Sequence, residues 1–305
     1  MGEAKRRNAE RAKAPCPCGS SKPAGECCFN GRYFHKPSAM LGLKALPIKS
    51  SVERCYMKEL RSCDGGISGE HLISESVILV LKADGDFSVS GLPWLSEGEA
   101  KILGSKSLTA NCLCSKHNSV LSPLDAAALY FFSALKLCLD READSMRYLL
   151  SGHDLERWLL KTAKAMAASG NLARGRHRLS GAFASDVQVL DMLDDPKHWP
   201  EGSGLYCVMN AGDVTANHNR FQLVPYTNSR EEISGLGVNF MGLDFILLLE
   251  PSDFSLIPQL KRATFRPNQI VISFPFSTNW IALSWEDGKQ HTRSLELKHL
   301  RNLKV

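Results

Sequence analysis

Four of the ten cysteines stand close together near the start of the chain, in the stretch CPCGSSKPAGECC. They follow the pattern C-x-C-x8-C-C and are Cys16, Cys18, Cys27 and Cys28. Four thiolates in a tetrahedral array are the ligands that a structural zinc ion requires. A segment this short has no core of its own, so metal binding would supply its folding free energy. A redox pair is disfavoured because the C-x-x-C spacing is missing.

A second set of possible zinc ligands is divided between two places in the chain: Cys55, Cys63, Cys114 and His117. The C-x-x-H spacing of the last two is usual for zinc. Seven residues separate the first two, so Cys112 stays open as an alternative ligand. Between the two pairs, the stretch GISGEHLIS leads from small turn residues into Glu70, His71 and an apolar alternation. This pattern predicts a strand that presents an acid and an imidazole at its start.

The N-terminal stretch PCPCGSSKPAGECC resembles the SEC-C motif, which occurs at the C-terminus of the SecA translocation ATPase and in many other bacterial proteins. Its four cysteines match the zinc ligands of that motif one for one. Lys22 is kept, whereas PAGE stands where the motif usually has KYKK. The resemblance implies a zinc site that serves for targeting or for binding a protein partner.

The stretch from Cys55 to Asp125 resembles the HNH endonucleases, in the order C…C…EH-[IVL]-x-[PS] followed by LC-x-x-[CH]-N. In that family a structural zinc holds a ββα-metal unit, and a second divalent ion takes part in the chemistry. The resemblance implies that Glu70 holds this second ion and that His71 is the general base. It further implies that Asn118 completes the metal site or orients the base.

These residue types agree with the hydrolysis of phosphodiesters. An imidazole with a pKa near 6.5 can activate water at neutral pH. Carboxylate and amide oxygens are hard ligands, so Mg²⁺ or Mn²⁺ suits the second site better than zinc. The sequence therefore predicts a metal-dependent nuclease with two structural zinc ions that acts on nucleic acid, on DNA in preference to RNA. The alternative is a non-catalytic zinc-binding adaptor for a protein partner or nucleic acid.

Charge and hydropathy limit which partners and which cellular location the sequence allows. The net charge of +5 is concentrated in residues 1–36, which hold eight basic and three acidic residues, while the remaining charges cancel. This basic arm suits a polyanionic partner, although a solvated, disordered tail fits it equally well. No apolar run approaches the ~18 to 20 residues that cross a bilayer, and no secretory leader precedes the cysteines. We therefore expect a cytoplasmic protein with reduced thiols and without a membrane partner.

The predicted fold class is α+β, with four ranges in order. Residues 1–36 form the basic arm and zinc knuckle, and residues 50–140 form the ββα-metal unit with an insertion. Residues 141–200 are helical, and residues 201–305 form an antiparallel β-rich domain. One helix is predicted to start with Ser122 as its cap and Pro123 in its first turn. A second amphipathic helix, residues 153–169, is predicted to point Lys161 outward.

Overall fold

The computed structural model describes residues 2–83, 85–140, 144–174, 177–184, 188–208, 220–251, 255 and 257–298. The fold is mixed α+β, with 33% helix and 30% strand, as the sequence predicts. The helices of the described part are α1 Glu3–Lys13, α2 Glu75–Lys82, α3 Ser115–Asp140, α4 Gly152–Ala168 and α5 Val189–Asp194. Its strands are β1 Ile67–His71, β2 Ser88–Ser90, β3 Ala100–Ile102, β4 Thr109–Cys114, β5 Arg147–Ser151, β6 Ala173–Arg174, β7 His177–Arg178, β8 Gly204–Val208, β9 Arg220–Thr227, β10 Ile233–Phe240, β11 Leu243–Leu248, β12 Ala263–Phe265, β13 Gln269–Ser273, β14 Thr278–Ser284 and β15 Ser294–Lys298.

β1 and β4 form an antiparallel pair that runs directly into α3, and we refer to these elements as the β1–β4–α3 unit. Glu70 pairs with Ala110, and His71 pairs with Thr109. The acid and the imidazole therefore lie at the end of β1 and not at its start, because the strand already begins at Ile67. A register shift between Ser68 and Glu70 adds one residue to β4 at this point.

α3 begins at Ser115, two turns before the predicted cap, and Pro123 lies inside it. A proline within a helix removes one N–H donor and leaves the carbonyl four residues earlier without its usual partner. Here that carbonyl belongs to Ser119, and the Ser122 hydroxyl donates to it at 2.8 Å. This local hydrogen bond explains why the helix continues through a residue that usually starts one.

By length and composition, α3 would be able to cross a membrane, which the sequence reasoning did not foresee. The core helix of a globular protein has the same composition, so this finding is weak evidence for a membrane span. α3 packs on both α2 and α4, and its Leu121, Phe132 and Leu135 are fully buried.

The strands form two large sheets, and neither is the single antiparallel C-terminal sheet that the sequence predicts. The seven-stranded sheet has the order β12-β8-β11-β10-β9-β2-β3, with β2 parallel to β9. The four-stranded sheet has the order β15-β13-β14-β5, with β5 and β15 in parallel pairs. Strands from before residue 201 thus complete both sheets. Such pairings join distant residues, and no local pattern reveals them.

α4 is the most buried element, with 15 of its 17 residues inside the fold. Its polar side chains are also buried, which corrects the prediction that Lys161 points outward. Glu156 accepts hydrogen bonds from Arg266 at 2.8 Å and from the Leu205 backbone at 2.7 Å. Arg157 donates to the Ala39 carbonyl at 2.6 Å. α4 thus binds both the C-terminal sheets and the segment before β1, and the main hydrophobic cluster includes residues from every predicted range after residue 36.

Candidate functional site: two metal-binding groups and a buried ion cluster

The four N-terminal cysteines converge on one point. Their Sγ atoms all lie within 4.8 Å of one another, and Cys27 is 3.5 Å from both Cys18 and Cys28. A tetrahedral zinc site with bonds of 2.3 Å places its sulfur ligands about 3.8 Å apart. All ten cysteines lie in the described residues, and all are free thiols. This group could therefore hold a zinc ion.

The segment that carries these cysteines, residues 14–34, is here called the knuckle, and it is docked on the body of the protein. The Pro17 carbonyl accepts two hydrogen bonds, from the Tyr130 hydroxyl at 2.6 Å and from the Leu149 backbone at 2.9 Å. Gly19 has a positive φ of 76°, and a Cβ atom there would lie 2.7 Å from the Tyr130 ring. The turn after the first two cysteines thus requires glycine both for its conformation and for this contact.

The second group brings together ligands from three elements: Cys55, Cys63, Cys114 and His117. The two cysteines of the loop before β1 lie 3.4 and 3.9 Å from Nδ1 of His117. Cys114, at the end of β4, lies 3.2 Å from the same atom. All four residues are buried, and the set could hold a second zinc ion. Cys112 stays outside it.

One residue that the sequence reasoning missed supports this second group. Ser62 is buried, and its hydroxyl lies 2.9 Å from Nε2 of His117. With Nδ1 directed at the metal position, Nε2 carries the proton and donates a hydrogen bond to the Ser62 hydroxyl. This hydrogen bond fixes both the tautomer and the orientation of the ring. Burial lowers the pKa of His117, which favours the neutral form that binds metal. Burial also raises the pKa of Cys55 to about 12, so a metal ion must displace its proton.

Glu70, the predicted ligand of the catalytic ion, is only 2% exposed and contacts a lysine. Its Oε1 lies 2.7 Å from Nζ of Lys161, which also lies 2.6 Å from Oδ2 of Asp125. Burial raises the pKa of Glu70, although the Lys161 ammonium opposes this rise. Burial alone would lower the pKa of Lys161. The two carboxylates outweigh the effect of burial, so the pKa of Lys161 is raised. These three side chains, from β1, α3 and α4, form a buried ion cluster.

Two neutral side chains extend this ion cluster into the core. The Ser74 hydroxyl donates to Asp125, and the Trp158 indole donates to Ser74 at 2.8 Å. Ser74 immediately precedes α2, and Trp158 is a fully buried residue of α4. Neither Asp125 nor Trp158 is among the site residues that the sequence predicts. No local spacing signals the cluster, because its members are far apart in the chain.

The other two predicted catalytic residues make their contacts outside the ion cluster. His71 follows Glu70 on the strand and therefore points to the opposite face. Its side chain is 28% exposed, and its Nε2 lies 3.8 Å from Glu75. Asn118 uses its amide to donate to the Ser68 hydroxyl at 3.2 Å. In the described residues, these contacts do not direct Glu70, His71 and Asn118 at one common ion.

The donor chemistry at Glu70 does not fit a divalent ion in this arrangement, because an ammonium already lies between the two carboxylates. The two cysteine-rich groups do fit zinc. Comparison of the chain with protein-family models, with curated proteins and with solved structures gives no match. The function of the protein is therefore inferred from the geometry of its own residues.

Proposed function

We propose that this protein is a zinc-dependent adaptor that binds nucleic acid without cutting it. The observation that carries the proposal is the exposed charge of α1, which the knuckle holds in place. α1 has no buried residue, and its five basic side chains are all exposed. These side chains are Lys5, Arg6, Arg7, Arg11 and Lys13.

α1 is held by contacts with the knuckle and is not a free tail. The Asn8 amide donates to the Gly31 carbonyl at 2.8 Å. One turn later in α1, Ala12 packs against Gly25 of the knuckle. A Cβ atom added to Gly25 would lie 3.0 Å from the Cβ atom of Ala12. Zinc bound by the N-terminal cysteine group would therefore fix the orientation of the basic helix.

The knuckle carries further exposed basic side chains. Lys22 and Arg32 are exposed, and Tyr33, next to Arg32 in the chain, is 61% exposed. Basic side chains that neutralise phosphates release bound counterions, which favours association without reading a base sequence. An exposed aromatic ring among them suits stacking on an unpaired base. This combination supports nucleic acid as the partner class.

We propose that the protein does not cleave nucleic acid because Glu70 contacts Lys161. A metal-dependent nuclease needs a divalent ion that stabilises the charge developing on the phosphate. Glu70 faces the interior and neutralises an ammonium. A binding role requires no such ion.

A nuclease is the second candidate, and the order of elements in the β1–β4–α3 unit supports it. Two antiparallel strands lead into a helix, a four-ligand group lies at their junction, and His71 is partly exposed at the end of β1. This order agrees with the HNH resemblance. Cleavage with Mg²⁺ or Mn²⁺ would require Glu70 to leave Lys161.

Fluorescence anisotropy with labelled duplex DNA and structured RNA, at several salt concentrations, tests the binding proposal. We expect Arg7→Gln/Arg11→Gln to weaken binding and to reduce the salt slope by about 2, since each phosphate that is no longer neutralised lowers the slope by about 1. The matched control is Lys101→Gln/Lys298→Gln, which removes two exposed charges elsewhere. Equal binding by both double variants, or no binding by the wild type, would contradict the proposal.

Cleavage is tested on the same substrates with Mg²⁺ and with Mn²⁺. The adaptor proposal expects intact nucleic acid from both the wild type and His71→Ala. Cutting by the wild type that disappears in His71→Ala, with two zinc ions retained in each protein, would instead establish the nuclease.

A further inference from the structure

The ion cluster of Glu70, Asp125 and Lys161 has the form of an occupied cation site. Nζ of Lys161 lies 2.7 Å from one carboxylate and 2.6 Å from the other, and the carboxylates come from different elements. A lysine that is 4% exposed would be strongly disfavoured without such partners. The two acids are therefore positioned around a single positive charge.

The surrounding structure fixes the position of the Lys161 ammonium. Lys161 belongs to the most buried helix of the fold, and Trp158, three residues earlier, bonds through Ser74 to Asp125. The two carboxylates favour its protonated form over the neutral amine. An ion entering from solvent would have to displace a buried ammonium whose stem is packed in the core.

While the Lys161 ammonium is in place, the remaining donors are poorly suited to a divalent ion. Mg²⁺ requires six oxygen ligands at about 2.0–2.1 Å, and Ca²⁺ requires six to eight at about 2.3–2.6 Å. Among the residues that the structure describes, two carboxylate oxygens lie within 2.7 Å of the ammonium nitrogen, which is fewer than either ion requires. Asn118, which the HNH resemblance implies completes the metal site or orients the base, donates to Ser68.

We propose that Lys161 is the resident cation of the β1–β4–α3 unit and excludes divalent ions from Glu70 and Asp125. The positive charge that a nuclease would take from solution is here part of the chain. The inference deepens the proposed adaptor function, since it gives the reason for the absence of cleavage. Its test measures metal binding and not nucleic acid, so either proposal can fail alone.

Electron paramagnetic resonance of Mn²⁺ tests this directly on the full chain with both zinc groups loaded. We expect the wild type and Glu70→Gln to bind Mn²⁺ equally weakly. Lys161→Met keeps most of the length of the side chain but removes its charge, and it should bind one Mn²⁺ at least tenfold more tightly. Adding Glu70→Gln to Lys161→Met should abolish this gain.

The matched control is Lys164→Met, which lies three residues further along α4 and contacts the Phe183 ring instead of a carboxylate. It should leave Mn²⁺ binding unchanged. The inference is overturned if the wild type binds one Mn²⁺ at least tenfold more tightly than Glu70→Gln does. It is also overturned if folded, zinc-loaded Lys161→Met binds Mn²⁺ no better than the wild type. The comparison of wild type with Glu70→Gln can still overturn the inference if Lys161→Met does not fold.

Discussion

Replacing Ser62 with alanine should weaken zinc binding at the second group while leaving the N-terminal group unchanged. The Ser62 hydroxyl lies 2.9 Å from Nε2 of His117, and His117 is fully buried. Without this acceptor, the Nε2 proton has no partner in a site that excludes water, and the ring is no longer fixed with Nδ1 toward the metal. Removing such a hydrogen bond typically lowers metal affinity about 10- to 100-fold, or about 1.4–2.7 kcal/mol.

The assay is competition for zinc with a chromophoric chelator, with both groups loaded at the start. The chelator concentration that removes the zinc ion of the second group should be lower for Ser62→Ala than for the wild type. The concentration that removes the zinc ion of the N-terminal group should be the same for both proteins. Ser51→Ala is the matched control, because Ser51 lies in the same loop but donates to the Lys58 carbonyl and not to a ligand. Equal affinities of the wild type and Ser62→Ala for both zinc ions would refute the role given to Ser62.

Three further outcomes follow from buried contacts. Tyr130→Phe removes a 2.6 Å hydrogen bond to Pro17 and should speed hydrogen exchange of residues 16–28, at a cost of about 1 kcal/mol; unchanged exchange would contradict the docking. Arg266→Met removes the buried guanidinium that contacts Glu156 and Asp287, so urea unfolding should show a loss of about 3–5 kcal/mol, and a loss below about 1 kcal/mol would contradict this. For Asp287, burial is outweighed by hydrogen bonds that lower its pKa from 3.8 to about 2. The free energy of unfolding should therefore be larger for the wild type than for Asp287→Asn at pH 5. This difference in free energy should decrease as the pH falls toward 2, and a difference that does not depend on pH would contradict the lowered pKa of Asp287.

Both ligand sets could be predicted from the sequence, for different reasons. The N-terminal cysteines lie within thirteen residues, so their spacing alone points to one site. The second set spans Cys55 to His117, and only the resemblance to a known motif joined its two halves. The structure brings each set together within 4.8 Å.

The ion cluster at Glu70 could not be predicted, and neither could the composition of the sheets. Lys161 lies on a helix whose apolar residues recur at amphipathic spacing, which normally places a lysine in solvent. Its partners are more than thirty residues away, on elements whose packing is set by tertiary contacts. β5 likewise pairs with β14, more than 120 residues later. Local patterns contain information about neighbours in sequence and not about such contacts.

The buried charges of α4 have a consequence for expressing parts of this protein. A fragment that ends at residue 140 keeps Glu70 and Asp125 but lacks the ammonium that both contact. A fragment that begins at residue 201 keeps the ion pair of Arg266 with Asp287 but lacks Glu156, the other partner of Arg266. In each case a charge that is buried in the whole chain loses an ion-pair partner, which destabilises the fold. Separate fragments are therefore expected to fold poorly alone and to recover their fold only when co-expressed with the piece that carries α4.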